Sequence, residues 1–353
     1  MENKFELFTK VYDVIISFKQ ETLEASINEI IYIDNKAKVG QWFGEGIALV
    51  KLSIDFFELL KGFEHKKPIF IQHIFPVLYS FDKKDLNSDI ENLKHYALSL
   101  EESLNINGSF SVQSRVCRNF DNDYKKYKLN DEVSVYLESK GYKLNIKEPE
   151  QIISVLVSED KVYIGLSEPE DNLSIWAGGI HRFAKEEGQL SRAEFKLLEV
   201  FDYFKIKPNV GGIALDLGAA PGGWSRVLIS KGFKVIAVDP ANLNEDILKD
   251  PKIEHYLETT QKFIQRDLDY KFDIIVNDMK MDASEACLLM GEVKELLKDD
   301  GVIITTLKLP KKGTQKKVKK ALSILERWYY IQGARQLFHN RCEITVVLKK
   351  QIK

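Results

Sequence analysis

Residues 215–225 read Leu-Asp-Leu-Gly-Ala-Ala-Pro-Gly-Gly-Trp-Ser. The apolar run from Ile213 to Leu217 predicts a strand; small residues then break it, and Pro221 predicts a helix start close behind. Glycines at 218, 222 and 223 let the backbone approach a ligand, and the helix N-terminus is expected to offer N–H groups to it. Such a turn suits a nucleotide-like ligand that carries a carboxylate. A second apolar strand, Lys234 to Val238, ends in Asp239, twenty-one residues past Gly218. An acid there is placed to accept hydrogen bonds from ribose hydroxyls. Position 220 is alanine and 221 proline, so the dinucleotide pattern G-x-G-x-x-G is not met, which disfavours a nicotinamide-dependent oxidoreductase.

Outward from this turn, the pattern from Gly188 onward is that of a doubly wound, mostly parallel sheet of seven strands. A helix over 191–204 precedes the first strand. Further strands are expected at 273–277, 302–307, 330–337 and 343–349, with helices over 284–297 and 316–328. In sheets of this kind ligands bind outside the carboxyl ends of the strands. Lys196 lies on the leading helix, sharing a face with Arg192, Glu199 and Tyr203, while Leu197, Phe201 and Phe204 make its apolar stripe. Asp278 follows the 273–277 strand, Lys308 ends the 302–307 strand, and Glu343 opens the last one.

Before this α/β half, residues 5–80 alternate expected strands (11–18, 47–52, 69–74) with helices (21–31, 55–61). A polar stretch, 83–89, marks an expected break, giving domains 1–82, 83–185 and 186–353. The middle segment offers a helix over 90–102, a strand over 109–116, a helix that stops at Gly141, and a hairpin of 152–157 with 161–166.

The chain has 353 residues, 44% of them hydrophobic, which is enough for more than one core. Its net charge of −2 excludes a uniformly basic coat, so any nucleic-acid contact must come from local clusters. The three cysteines, Cys117, Cys287 and Cys342, are far apart without C-x-x-C spacing, so no zinc site or disulfide frame is expected. Met1 to Gln20 mixes charges with short apolar runs and reads as neither signal peptide nor membrane span. A cytoplasmic protein with no metal is the expectation.

The 215–225 string resembles motif I of the FtsJ-like RNA 2′-O-ribose methyltransferases. The order Lys196, Asp278, Lys308, Glu343 is similar to that family's catalytic tetrad. The Leu307-Lys308-Leu309-Pro310 and Ala334–His339 strings resemble a branch that carries a THUMP module and acts on a 23S rRNA cytidine. That resemblance implies a Rossmann-like methyltransferase domain at the C-terminus, preceded by α+β ferredoxin-like and THUMP-like domains. It implies S-adenosyl-L-methionine as cofactor, with S-adenosyl-L-homocysteine as product. It also implies cofactor contacts from Asp216, Gly218, Ala219, Ala220, Pro221, Gly222, Gly223, Trp224, Asp239 and Asp278. Family members often hold the adenine amine with an acid after the third strand; here Glu258, Thr260 and Asp267 compete for that part.

Lys308 is expected to act as general base toward a ribose hydroxyl, or to stay charged and steer the developing alkoxide. RNA is the expected partner, 23S rRNA first and tRNA second. Seven lysines stand between 308 and 320, Lys311 and Lys312 among them. Arg115, Arg118, Lys125, Lys126 and Lys128 interleave with Phe120, Tyr124 and Tyr127, a cation-and-ring pattern that suits splayed bases. Arg182 and Arg335 join them as expected RNA contacts. A binding protein that keeps the cofactor fold without turnover is the rival reading.

Overall fold

The computed structural model describes residues 10–100, 104–117, 124–183, 189–310 and 313–351. The described residues up to Ile180 form one compact unit and those from His181 form a second.

The first unit opens with β1 (Asp13–Ser17), α1 (Leu23–Ile33), β2 (Lys38–Gly44), β3 (Ile47–Lys51), α2 (Phe56–His65) and β4 (His73–Pro76). Their four strands pair antiparallel in the order β2-β3-β1-β4, the β-α-β-β-α-β connectivity of a ferredoxin-like unit. Val14, Ile16, Ala48, Val50, Phe56, Leu59 and Ile30 fill the space between sheet and helices. Asp55 starts α2 by accepting the Glu58 N–H, which satisfies one of the helix's orphan donors.

A second sheet follows, built from β5 (Tyr79–Asp82), α3 (Leu86–Ser99), β6 (Ser109–Val116), α4 (Lys126–Ser139), β7 (Lys143–Leu144), β8 (Gln151–Val157) and β9 (Lys161–Ser167). Its order is β5-β9-β8-β6-β7, with β6 parallel to β7 and β8 and the other pairs antiparallel. The expected break after residue 82 falls at the end of β5, a strand that pairs with β9 in this second sheet.

The second unit contains α5 (Ala193–Tyr203), β10 (Ile213–Leu217), α6 (Gly223–Ser230), β11 (Lys234–Val238), α7 (Glu245–Leu248), β12 (Ile253–Tyr256), α8 (Thr260–Phe263) and β13 (Phe272–Asn277). It continues with α9 (Ala283–Glu292), β14 (Leu297–Lys308), α10 (Thr314–Leu325), β15 (Tyr329–Arg335) and β16 (Glu343–Lys350). The sheet order is β12-β11-β10-β13-β14-β16-β15. The first five strands run parallel, and β16 lies antiparallel between β14 and β15. From β10 the chain builds outward on one side and then on the other, so the crevice at the switch point opens beside the carboxyl ends of β10 and β13. Ala214, Val235, Ala237, Ile274, Val276 and Ile304 are buried beneath the helices, as both-face coverage of a parallel sheet requires.

Candidate active site

The crevice starts at the 218–223 turn. Gly218 (φ 73°) and Gly222 (φ 111°) are left-handed, and the Ala220–Pro221 peptide is cis. A β-carbon on Gly218 would stand 2.2 Å from Met279 Cγ, and one on Gly222 2.7 Å from Ile247 Cδ1, so both positions exclude a side chain. Helix α6 begins at Gly223, after Gly222, and not at the proline. The N–H groups of Gly218, Ala219, Ala220 and Gly222 are directed into the fold, to Val238 O, Asp239 and Ala219 O. What this turn offers a ligand is therefore bare backbone and space, more than a row of donors.

Two acids flank it. Asp239 follows β11; one of its oxygens accepts from Ala220 N (3.0 Å) and the other from Ala241 N (2.8 Å), which orients the carboxylate beside the turn. Asp216 is placed differently: it is fully buried in β10 and its Oδ2 accepts from Ser225 Oγ at 2.7 Å. It fastens the start of α6 from beneath and presents no surface to a ligand. Trp224 is buried too, its indole donating to Ala193 O at 2.8 Å, which ties α6 to the start of α5. Glu194 accepts from Leu190 and Ser191 N and pairs with Arg226, fixing the same junction.

Burial pushes the Asp216 carboxyl up to about 7; the Ser225 hydroxyl opposes this, and the charges of Asp278 and Asp239 add to it. The folded state thus holds the Asp216 proton more tightly than the unfolded chain does. Its contribution to stability falls as pH rises from near 3.8 to about 7 and is level above that. Asp216→Asn removes this dependence. A plot of Tm against pH is expected to slope downward for the parent across that window relative to the variant, and parallel curves would contradict the assignment.

The four charged residues singled out in the sequence meet on the other side of the crevice. Asp278 follows β13, Lys308 ends β14, and antiparallel register sets Lys308 opposite Glu343 at the start of β16. Lys196 arrives from α5. Its Nζ lies 3.0 Å from Asp278 Oδ2 and 2.6 Å from Glu343 Oε1. Lys308 Nζ donates to Asp278 Oδ1 (2.7 Å), Glu343 Oε2 (2.6 Å) and Thr306 Oγ1 (2.9 Å). An ammonium has three N–H groups, so all three are engaged.

The ring alternates two cations with two anions, and all four side chains are at least three-quarters buried. Burial opposes the charged forms, yet Lys308 and then Lys196 hold the Asp278 carboxyl below the usual range. The Lys308 charge and the Lys196 contact do the same for Glu343. Burial likewise works against the Lys196 ammonium, but Asp278 and Glu343 raise it net. The depressed acids stabilise the fold above their ordinary range and lose that contribution as pH falls through their folded values. The raised lysine loses its contribution only as pH climbs beyond 10.5.

Other expected residues are placed as follows. Arg335 is buried, its guanidinium 5.2 Å from the Tyr203 ring centre. Arg115 donates to Ser17 Oγ at 2.6 Å within the first unit, against the backbone of Gly178. Tyr124 is buried, with its hydroxyl on Asp89. Lys125, Lys126, Tyr127 and Arg182 are exposed and Lys128 is half-buried. Arg118, Phe120, Lys311 and Lys312 lie outside the described residues. Of the adenine candidates, Glu258 is matched by Arg266 (Nε 2.6 Å) and Lys262 (3.4 Å); Thr260 is buried with its hydroxyl 3.9 Å from Met279 Sδ; Asp267 is exposed.

Two residues escaped the sequence reading. Glu199, expected on the polar face of α5 that carries Lys196, is buried. Its carboxylate accepts from Phe338 N (2.8 Å) and His339 N (2.9 Å), with His339 Nδ1 at 2.7 Å, anchoring the loop that leads into Glu343. Thr306, two residues before Lys308 and so on the same side of β14, donates to Asp278 Oδ1 at 2.7 Å. The period-two rule was the signal available for the second; nothing local announced the first.

A mostly parallel seven-stranded sheet with one inserted antiparallel strand, a glycine turn after its first strand and acids at the neighbouring strand ends define a nucleotide-cofactor methyltransferase class of fold. Residues 189–320 match the family described as FtsJ-like methyltransferase, and the chain carries a domain of that S-adenosylmethionine-dependent family. Bare backbone at Gly218 and Gly222, with Asp239 and Asp278 to either side, fits that cofactor.

The chain is distantly related to "Ribosomal RNA large subunit methyltransferase M" of Stutzerimonas stutzeri (strain A1501), 29% identical over 213 residues, 57% of this chain and 59% of the relative. The protein of the same description from Pseudomonas fluorescens (strain SBW25) is 28% identical over 252 residues, 67% of this chain and 66% of that one. The first of these matches thus spans less than two-thirds of the relative's length. A solved structure described as TrmN from Thermus thermophilus covers 96% of this chain and 100% of that one at 16% identity and TM-score 0.37, too low to carry an argument. No described helix is long and apolar enough to cross a membrane, and no described group of three or more His, Cys, Asp or Glu could hold a metal ion.

Proposed function

We propose that this protein transfers a methyl group from S-adenosylmethionine to a ribose 2′-hydroxyl of RNA, with 23S rRNA as the first-choice substrate. The observation that carries this reading is the closed Lys196–Asp278–Lys308–Glu343 ring at the carboxyl ends of β13 and β14, in the same crevice as the glycine turn. The names of the relatives favour ribosomal RNA over tRNA.

The sulfonium supplies an activated methyl group; the poor nucleophile is the hydroxyl. Alignment of oxygen with methyl and sulfur accounts for up to about 7–11 kcal/mol of barrier lowering in favourable cases. Proton removal adds about 10²–10⁴-fold. In this account Lys308 first releases one proton to solvent, and the neutral amine then accepts the hydroxyl proton as the oxygen–carbon bond forms and the carbon–sulfur bond breaks, the electron pair of that bond returning to sulfur. Asp278 and Glu343 orient the amine, and Lys196 balances their charge. The ring is neutral overall, so a cationic cofactor beside it loosens the hold on one ammonium proton. A pH–rate profile with an essential group titrating between about 7 and 9 supports the base role; a flat profile supports a lysine that stays charged.

RNA contacts are assigned to exposed cations: Lys125 and Lys126 beside Tyr127 in the first unit, and Arg182, Lys316, Lys319 and Lys320 in the second. Such binding weakens as salt rises, and affinity that ignores salt would remove the assignment. A cytoplasmic location belongs to the same reading. The test is mass spectrometry of nucleosides from 23S rRNA and tRNA in cells with and without the gene. A 2′-O-methyl mark that disappears from 23S rRNA and returns with the parent gene, but not with Lys308→Met, is expected. Loss of a tRNA mark would reassign the substrate, and unchanged ribose methylation would refute the activity.

A further inference from the structure

We infer that Thr306 is a positioning residue for this chemistry, a fifth side chain without which the four-charge ring does not hold Lys308 in a productive orientation. The inference rests on the reading of the ring given under Proposed function. Thr306 is 1% exposed on β14, and its side chain shares the crevice side of the strand with Lys308. A threonine hydroxyl has one hydrogen to give. Asp278 Oδ1 stands 2.7 Å away and, as a carboxylate, only accepts, so the hydrogen goes there. The hydroxyl oxygen is then left as an acceptor, and Lys308 Nζ donates to it at 2.9 Å. Direction along the chain Lys308 to Thr306 to Asp278 is therefore fixed.

The consequence lies in the placement of the Lys308 amine. Its three N–H groups turn together about the Cε–Nζ bond, so Asp278 and Glu343 already set their rotation. Thr306 supplies the third acceptor and holds Nζ itself in place between the two acids. It is also the only neutral member of the trio of acceptors, so it fixes geometry without adding a charge to the ring. Without the hydroxyl, Asp278 Oδ1 loses a donor and the amine loses an anchor at the same time.

Thr306→Val keeps the shape and β-branching of the side chain and removes only the hydroxyl. In steady-state assays with the RNA substrate, kcat is expected to fall at least about tenfold, the loss typical of a hydrogen bond to a charged group, while KM for S-adenosylmethionine is unchanged. Thr306→Ser restores kcat. Titration with S-adenosylhomocysteine and a thermal melt confirm that each variant is folded; if the valine variant does not fold, Thr306→Ala is held to the same expectations. A folded hydroxyl-free variant with parental kcat overturns the inference, as does a serine variant no better than it. Lys308→Met in the same assay separates the two claims: if it is fully active, the reading of the ring fails, whereas an inactive Lys308→Met beside a parental Thr306→Val removes Thr306 alone.

Discussion

The Lys308→Met variant is expected to bind S-adenosylhomocysteine as tightly as the parent and to transfer methyl groups about 10²–10⁴-fold more slowly. The split follows from where the residue stands. Lys308 ends β14, on the far side of Asp278 from the 218–223 turn, and makes its three hydrogen bonds to Asp278, Glu343 and Thr306. Methionine replaces the stem at similar length and leaves the turn untouched. A steady-state rate and an isothermal titration on the same preparation check both halves. Loss of cofactor binding together with rate would place Lys308 in the cofactor seat instead.

The second large effect concerns Asp278. It contacts both lysines, so Asp278→Ala leaves two ammonium groups with Glu343 as their shared anion. Removing one partner of a buried ion cluster costs about 3–5 kcal/mol, because the remaining charges stay desolvated. Denaturant unfolding should show that loss, together with abolished methyl transfer. A second substitution makes the argument sharper. Lys196→Met added to Asp278→Ala restores a neutral pair, Lys308 with Glu343, so the double variant is expected to be more stable than Asp278→Ala alone. Residues in one network are coupled, and simple additivity of the two single losses would show that charge balance does not govern the site.

The parts of the fold legible in the sequence are those where burial on two faces imposes a continuous apolar run. Strands β10, β11 and β13 fall in that class, and each lies where the sequence pattern places it, to within a residue at either end. The strands that escaped, β2, β5 and β7, stand at sheet edges, where one neighbour is enough and the composition can be polar; β2 carries Lys38, Gly40 and Gln41. The helix after the glycine turn was expected two residues early because a proline commonly takes the first helical position. Here the left-handed Gly222 stands between them and postpones the helix to Gly223.

In the site, the turn, Asp278, Lys308 and Glu343 were legible because strand ends in a doubly wound sheet converge on one crevice, and Lys196 because it lies off the apolar stripe of α5. Arginine was the least legible residue type. In sequence, Arg335 and Arg115 look like surface cations, yet one stacks on Tyr203 and the other binds Ser17 against a glycine that leaves it room. Such partners are distant in the chain and carry no local signature. Trp224 and Asp216, inside motif I, likewise turned inward to hold α5 and α6 in place. Their position in the motif marks architecture of the seat as much as contact with its occupant.

The most direct measurement is a crystal structure of the protein with S-adenosylhomocysteine. The account predicts the adenosine against Gly218 to Gly223 with Asp239 beside its ribose. It also predicts the sulfur facing the Asp278–Lys308 side, so that a hydroxyl oxygen about 3–3.5 Å from the transferred methyl would lie within hydrogen-bond reach of Lys308 Nζ. A sulfur directed away from Lys308, or an occupant seated elsewhere on the sheet, would contradict it.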